Sequence, residues 1–317
     1  MEKLSIEKLQ EIIENHGKWL IDSNEGSKAN LCDANLRGAD MCDANLRGAN
    51  LRGANLRDAN LRGADMCDAN LCGADLCGAD LCGTNLCGAD LCGADLCGAD
   101  LCGTNLCGAD LCGADMCGTN LRGADLRDAN LCDANLCDTN LCDANLRGAD
   151  MCDANLRDAN LRGADMCDAN LCGADLCGAD LCGTNLCGAD LCGADMCGTN
   201  LRGADMCDAN LCDANLRGAD MCDANLCGAD LCGANLRDTN LPKQIIQIGP
   251  IGSRKSQTIY NVTDDIVQCG CWNNCKGGTL EEFELRVANE YGVDNKKYYN
   301  EYMTAIAMFK MMKDNKW

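Results

Sequence analysis

LCGADLCGADLCGTNLCGAD occupies residues 71–90 and returns unchanged at 91–110 and at 171–190. Inside it a small residue, an amide or acid and a Leu come round every five positions. The same beat runs outward from Ala29 to Lys243 without an insertion, 43 units in all. The unit reads Ala/Thr, Asn/Asp, Leu/Met, Cys/Arg, Gly/Asp. A period of five matches neither the 3.6 of a helix nor the 2 of a long strand. Its first and third positions are small or apolar and must point the same way, as alternate residues of a short strand do. The Gly or Asp at the fifth position then turns the chain.

Four such sides make a square coil of 20 residues. The three identical 20-mers support that length, because duplication in whole coils keeps every face in register. The usual handedness of parallel crossovers predicts a right-handed wind. At about 4.8 Å between paired strands, just under eleven coils give a column roughly 50 Å long. Its interior is expected to be Leu/Met stacked with Ala/Thr, its stability set by contacts between neighbouring coils. A type II turn needs positive φ at its third residue, so type II geometry is expected at the Gly-ended units, with the Asp-ended units turning differently.

The A(D/N)Lxx pattern resembles that of the pentapeptide-repeat proteins, and it covers 215 of 317 residues. The resemblance implies a mainly β fold, a right-handed quadrilateral parallel β-helix. It also implies Leu/Met at the centre of each inner side, Ala/Thr at the inner corner and the other three positions facing out. Some members of the family are acidic rods that resemble duplex DNA in shape and charge and inhibit DNA gyrase. Members that bind gyrase also carry loops projecting from their coils, and this repeat has none.

Composition narrows the function classes. Aromatic residues are 3% of the chain, and none lies between Ala29 and Lys243. The single His16 excludes a multi-His metal site. A net charge of -22 argues against direct nucleic-acid binding, since phosphates would be repelled. No apolar run reaches the roughly 18 residues of a membrane span. The first residues lack a signal-peptide core, so a cytoplasmic location is expected, with the 32 Cys as reduced thiols.

Most of the acidity belongs to the repeat. Between Gly63 and Leu121 stand nine Asp and no Lys or Arg. Asp75, Asp95 and Asp115 fall in one stacked file, Asp80 and Asp100 in another, and stacked carboxylates are expected to raise one another's pKa. Arg37, Arg47, Arg52, Arg57 and Arg62 form a basic collar near the N-terminal end. The fourth position carries 29 Cys and 13 Arg, and one column from Cys72 to Cys232 is nine thiols without a break. A thiol ladder could bind soft metals or sense oxidants. The plainer reading is a small residue that stacks well on a β surface and was copied by duplication. Parallel side chains in register are poorly oriented for disulfides, so free thiols are expected.

The chain divides into three segments: residues 1–28, an N-terminal helical cap; 29–243, the repeat column; and 244–317, a small α+β unit. Caps are needed because an open column exposes unpaired strand edges. Ser5 to Leu20 reads as an amphipathic helix with Ser5 as N-cap, Leu9, Ile12, Ile13, Trp19 and Leu20 on its apolar side, and Gly17 as an early stop. His16 reads as a residue packed in that cap or on its surface. Pro242 and Pro250 lack the N–H that a ladder needs. In the last segment Gln244 to Ile248, Gln257 to Val262 and Ile266 to Trp272 read as strands, with turns at Gly249–Ser253 and Asp264–Asp265. Thr279 and Glu282 form a capping box that opens a helix to about Tyr291. A second helix runs from Lys296 to Asp314, its apolar residues including Tyr299, Met303, Ile306, Met308, Phe309 and Met312. The stretch resembles a tail module found beside pentapeptide repeats in bacterial and phage proteins.

Cys269, Cys271 and Cys275 give C-x-C-x₃-C with no fourth ligand nearby, so buried strand cysteines are expected there and no metal site is assigned. No catalytic constellation or cofactor motif is present either. The expected function is a non-enzymatic rod presenting a surface to a protein partner, with a homodimer compatible. The alternatives are an acidic DNA mimic that binds and inhibits a type II topoisomerase, DNA gyrase, and a thiol ladder that sequesters metal.

Overall fold

The computed structural model describes residues 4–242, 245–251, 256–261, 265–269, 278–291 and 296–315. The column is a solenoid of short parallel bridges. Each second-position residue pairs with the one 20 positions on, from Asn30 with Asn50 to Asp220 with Asn240, so one coil takes four units.

The backbone of one unit explains the repeat. In residues 94–98 the Ala94 N–H closes a turn onto Leu91 O (2.9 Å), Asp95 N–H donates to Ala74 O of the coil below, and Leu96 and Gly98 donate to Asp115 O and Cys117 O of the coil above. The remaining donor, Cys97 N–H, is taken by Asp95 Oδ1 at 3.0 Å. All five N–H groups thus have acceptors, as a buried or strand-edge backbone requires. The side-chain oxygen at the second position supplies the one acceptor that the backbone does not, and Asn or Asp serves equally.

The interior is Leu, Met and Ala, sealed to 0–1% exposure through the middle coils. Thr replaces Ala at little cost because its hydroxyl finds a buried carbonyl. Thr84 donates to Leu61 O at 2.9 Å and Thr119 to Leu96 O at 3.0 Å. The corners correct the turn expectation. Every Asp-ended corner, such as Asp138 at φ 57, shares the left-handed conformation of the Gly corners, such as Gly98 at φ 65. One turn type serves all sides, because a short polar side chain is among the few that tolerate this region.

α1 (Ile6–Ile21) lies against the first coil, with the Ser5 side chain accepting from Lys8 N–H. Gly17 does not end it: the helix runs one turn further, to a C-cap at Asp22. Leu4 N–H donates to Asn35 O and Ser27 N–H to Asn15 O, tying the helix to the column. His16 is fully buried, stacked on Trp19, and its Nδ1 accepts from Ala29 N–H at 3.1 Å. Its Nε2 is buried without a hydrogen-bond partner, and burial lowers the imidazole pKa.

Beyond the column come β1 (Ile245–Ile251), β2 (Ser256–Asn261), β3 (Ile266–Cys269) and β4 (Gly278–Thr279), an antiparallel meander in chain order. β1 runs through Pro250, which falls where the β1–β2 register shifts, a place that tolerates a missing donor. β4 is not expected from the sequence; two residues are too few to show an alternating pattern. The capping box forms as expected, Thr279 N–H to Glu282 and Glu282 N–H to Thr279 Oγ1, opening α2 (Leu280–Tyr291). α3 (Lys296–Asn315) packs on α2 around Tyr260, Phe283, Tyr302 and Phe309. Met308, one of the helix's apolar residues, is 43% exposed. Ile259 of β2 joins the column's core and Asn261 Nδ2 donates to Leu226 O, so the sheet closes the last coil.

Candidate functional site: the outer ladders

Three outward positions make every face. The second-position ladder is knitted between coils: Asn60 Nδ2 donates to Asp40 Oδ1, Asn85 to Asp65 and Asn120 to Asp100, all at 3.0 Å. The files Asp75–Asp95–Asp115 and Asp80–Asp100 stack as the sequence places them. Their lower ends are neutralised from the collar, however. Arg57 reaches Asp75 and Arg62 reaches Asp80, both at 3.4 Å, and Arg37 pairs with Asp58 at 3.2 Å. The cation-free stretch of sequence is therefore shorter as a surface, because Arg side chains climb one coil.

Two carboxylates that stack between Asn residues, Asp125 and Asp220, are shifted by local donors. Asp125 is held below its ordinary range chiefly by the side-chain hydrogen bond from Arg127. Asp220 is held low chiefly by the Cys222 N–H. In both, donors to the carboxylate, among them the turn N–H that this position accepts, favour the ionised form.

Corner and ladder acids also avoid each other. Every Asp corner is followed two residues later by Asn, whereas Gly corners are followed by Asp or Asn. An Asp-x-Asp pair would set two carboxylates side by side on one turn, and Asn meets the backbone's need without that charge.

The 29 described cysteines are not joined in disulfides, and most of them are half-buried. Many Asp-ended corners accept from the preceding thiol, for example Cys137 to Asp138 and Cys207 to Asp208 at 3.5 Å. Burial, then the neighbouring Asp, pushes Cys137 and Cys152 up to about 11 and Cys207 to about 12. A thiol so protonated is a poor nucleophile at neutral pH, which weighs against an oxidant-sensing ladder. Among the described residues one group gathers three potential metal ligands: Cys117, Cys137 and Asp138, their ligand atoms within 4.8 Å of one another. The side chain of Cys269, and Cys271 and Cys275 entirely, lie outside the described residues.

The sequence profile of the pentapeptide repeats matches in eight copies, in segments running from residues 27–63 to 208–243. The chain belongs to the pentapeptide-repeat family. Among solved structures it is similar to HetL from the cyanobacterium Nostoc sp. strain PCC 7120, a pentapeptide-repeat protein involved in heterocyst differentiation regulation. That match has 34% identity over 73% of this chain and 96% of HetL, with a TM-score of 0.40. It is also similar to QnrB1, a plasmid-mediated fluoroquinolone resistance protein, at 20% identity over 68% of this chain and 92% of that one, with a TM-score of 0.31. Among curated proteins no relative matches. No described helix is long and apolar enough to cross a membrane.

Proposed function

We propose that this pentapeptide-repeat protein is a non-enzymatic cytoplasmic rod that presents its outer faces to a protein partner. The reading takes the column as a right-handed quadrilateral helix over residues 29–243, with 1–28 as cap and 244–317 as a separate terminal unit. The observation that carries it is the hydrogen bonding of the outer faces. Backbone and second-position side chains are linked coil to coil from Asn30 to Asn240, which makes a rigid surface of regular spacing, and binding to a preorganised surface costs little ordering entropy. Affinity capture from the native host, run beside a form lacking 244–317, tests it. A partner retained by both forms belongs to the column; failure to retain any partner on either form counts against the proposal.

A second reading is an acidic DNA mimic that inhibits a type II topoisomerase. It is favoured by one stretch, Asp90, Asp95, Asp100, Asp110 and Asp115, with no Lys or Arg from Gly63 to Leu121. A DNA gyrase supercoiling assay separates the two. Dose-dependent inhibition that weakens with salt supports mimicry, and activity unchanged at saturating protein removes it.

A further inference from the structure

We propose that Cys117, Cys137 and Asp138 form a binding site for one thiophilic divalent cation on the outside of the column. The three ligand atoms come from two adjacent coils and lie within 4.8 Å of one another. Bonds of about 2.3 Å to sulfur at tetrahedral angles span roughly 3.8 Å between ligands, so a small side-chain rotation closes the set. Two sulfurs and one carboxylate leave a fourth position for water, as in an open site.

Several features of the fold concentrate here. The coil carrying Cys117 turns at Gly118, where an added Cβ would meet nothing within 4 Å. With glycine there, no corner side chain of that coil stands beside the Cys117 thiol. The coil above turns at Asp138, whose carboxylate already accepts from the Cys137 thiol at 3.5 Å. Asp158, one coil further, adds negative charge near Cys137. The next residue in the thiol's own column is Arg157, and its guanidinium is drawn away to Asp175 at 3.2 Å. Cys207 and Asp208 repeat the thiol–corner pair above Cys187 and Gly188, yet among the described residues only the first trio is gathered. Binding exchanges two thiol protons, released to solvent, for two metal–sulfur bonds. The carboxylate adds one oxygen ligand, and no oxidant or reductant takes part.

Cadmium is the probe. The full-length reduced protein is titrated with Cd²⁺ against a competing chelator, and the sulfur-to-cadmium charge-transfer band and proton release are read together. One equivalent is expected to bind ahead of the rest with release of two protons. Cys137→Ser and Asp138→Gly should each weaken that first equivalent by at least about 10-fold, in the range by which ligand and supporting residues tune metal affinity. Asp138→Gly suits the corner's φ of 57, so loss of fold does not confound it. Cys207→Ser should leave the first equivalent unchanged. Absence of the band, or equal small losses in all three variants, overturns the site and points to scattered binding along the ladders.

Discussion

Leu136 in the column and Phe309 in the terminal unit are both enclosed to within 1% of full burial, but they sit in cores of different design. Leu136 has near-equivalents 20 residues below and above, Met116 and Leu156, and touches only its own neighbourhood of coils. Phe309 has no equivalent. It packs at a tilt of 36° against Tyr260 with ring centroids 4.9 Å apart, while Phe283 meets Tyr302 edge-on at 5.7 Å. A repeated core can absorb a fault locally, because its stability is a sum over neighbours. A core of unique aromatic contacts stands or falls together.

The sharpest test of that contrast is Phe309→Ala. It is expected to destabilise the terminal unit by about 3–5 kcal/mol. Hydrogen exchange should show β2, α2 and α3 losing protection while coils between residues 50 and 210 keep theirs. Simultaneous loss across both regions would break the comparison. Leu136→Ala should cost about 2–5 kcal/mol, set by how far the coil collapses into the space. Its loss of protection should fade within one or two coils on either side; uniform loss along the column would mean that the solenoid unfolds as one unit.

The column's architecture was legible because a five-residue beat can bury Leu and Ala only one way, and three identical 20-mers spell out a coil. The meaning of the outward residues was not. Asn or Asp at the second position reads as solubilising charge until Cys97 N–H is seen on Asp95 Oδ1. Asp corners look incompatible with a type II turn until their φ near 57 is seen. In both cases the governing quantity is a backbone donor or dihedral, which composition does not display. Asp138 escaped for the same reason. Its sequence neighbourhood matches several other corners, and only stacking brings it to Cys117. At the N-terminal end the helix was legible, and the sequence left His16 either packed in the cap or on its surface. What decides for burial is Ala29 at the start of the column, whose N–H donates to its Nδ1.

The two ends of the pH scale should act on different regions. His16 is held below its ordinary value of 6.5, first by burial and then by Lys28, with the Arg47 backbone acting the other way. The folded cap therefore binds this proton less well than the unfolded chain does. The stability it lends is whole above pH 6.5 and lost as pH falls through the lowered folded value. Exchange protection of α1 should drop in acid, and His16→Phe should flatten that dependence. Thiols in the column behave in the opposite sense. Cys137, Cys152 and Cys207 are raised above 9.0, so their contribution is intact below pH 9 and lost as pH climbs to about 11–12. Alkali should loosen the column while α1 stays docked; a cap that melts first in alkali would contradict the assignment.

The smallest effect tests why no Asp corner precedes an Asp. Gly98 and Gly103 are matched: both have φ 65, and an added Cβ at either meets nothing within 4 Å. They differ in the ladder residue two positions on, Asp100 in one case and Asn105 in the other. Gly103→Asp should be close to neutral, since other Asp corners hold the same conformation beside Asn. Gly98→Asp should cost roughly 0.5–1 kcal/mol more, the scale of two like charges a few ångströms apart near water. Thermal melts at low salt should separate the two variants, and about 1 M salt, with a Debye length of about 3 Å, should bring them together. A difference that survives high salt would mean that the pattern reflects corner geometry. Repulsion would then have no part in it, and the charge of the rod would be set by the turns alone.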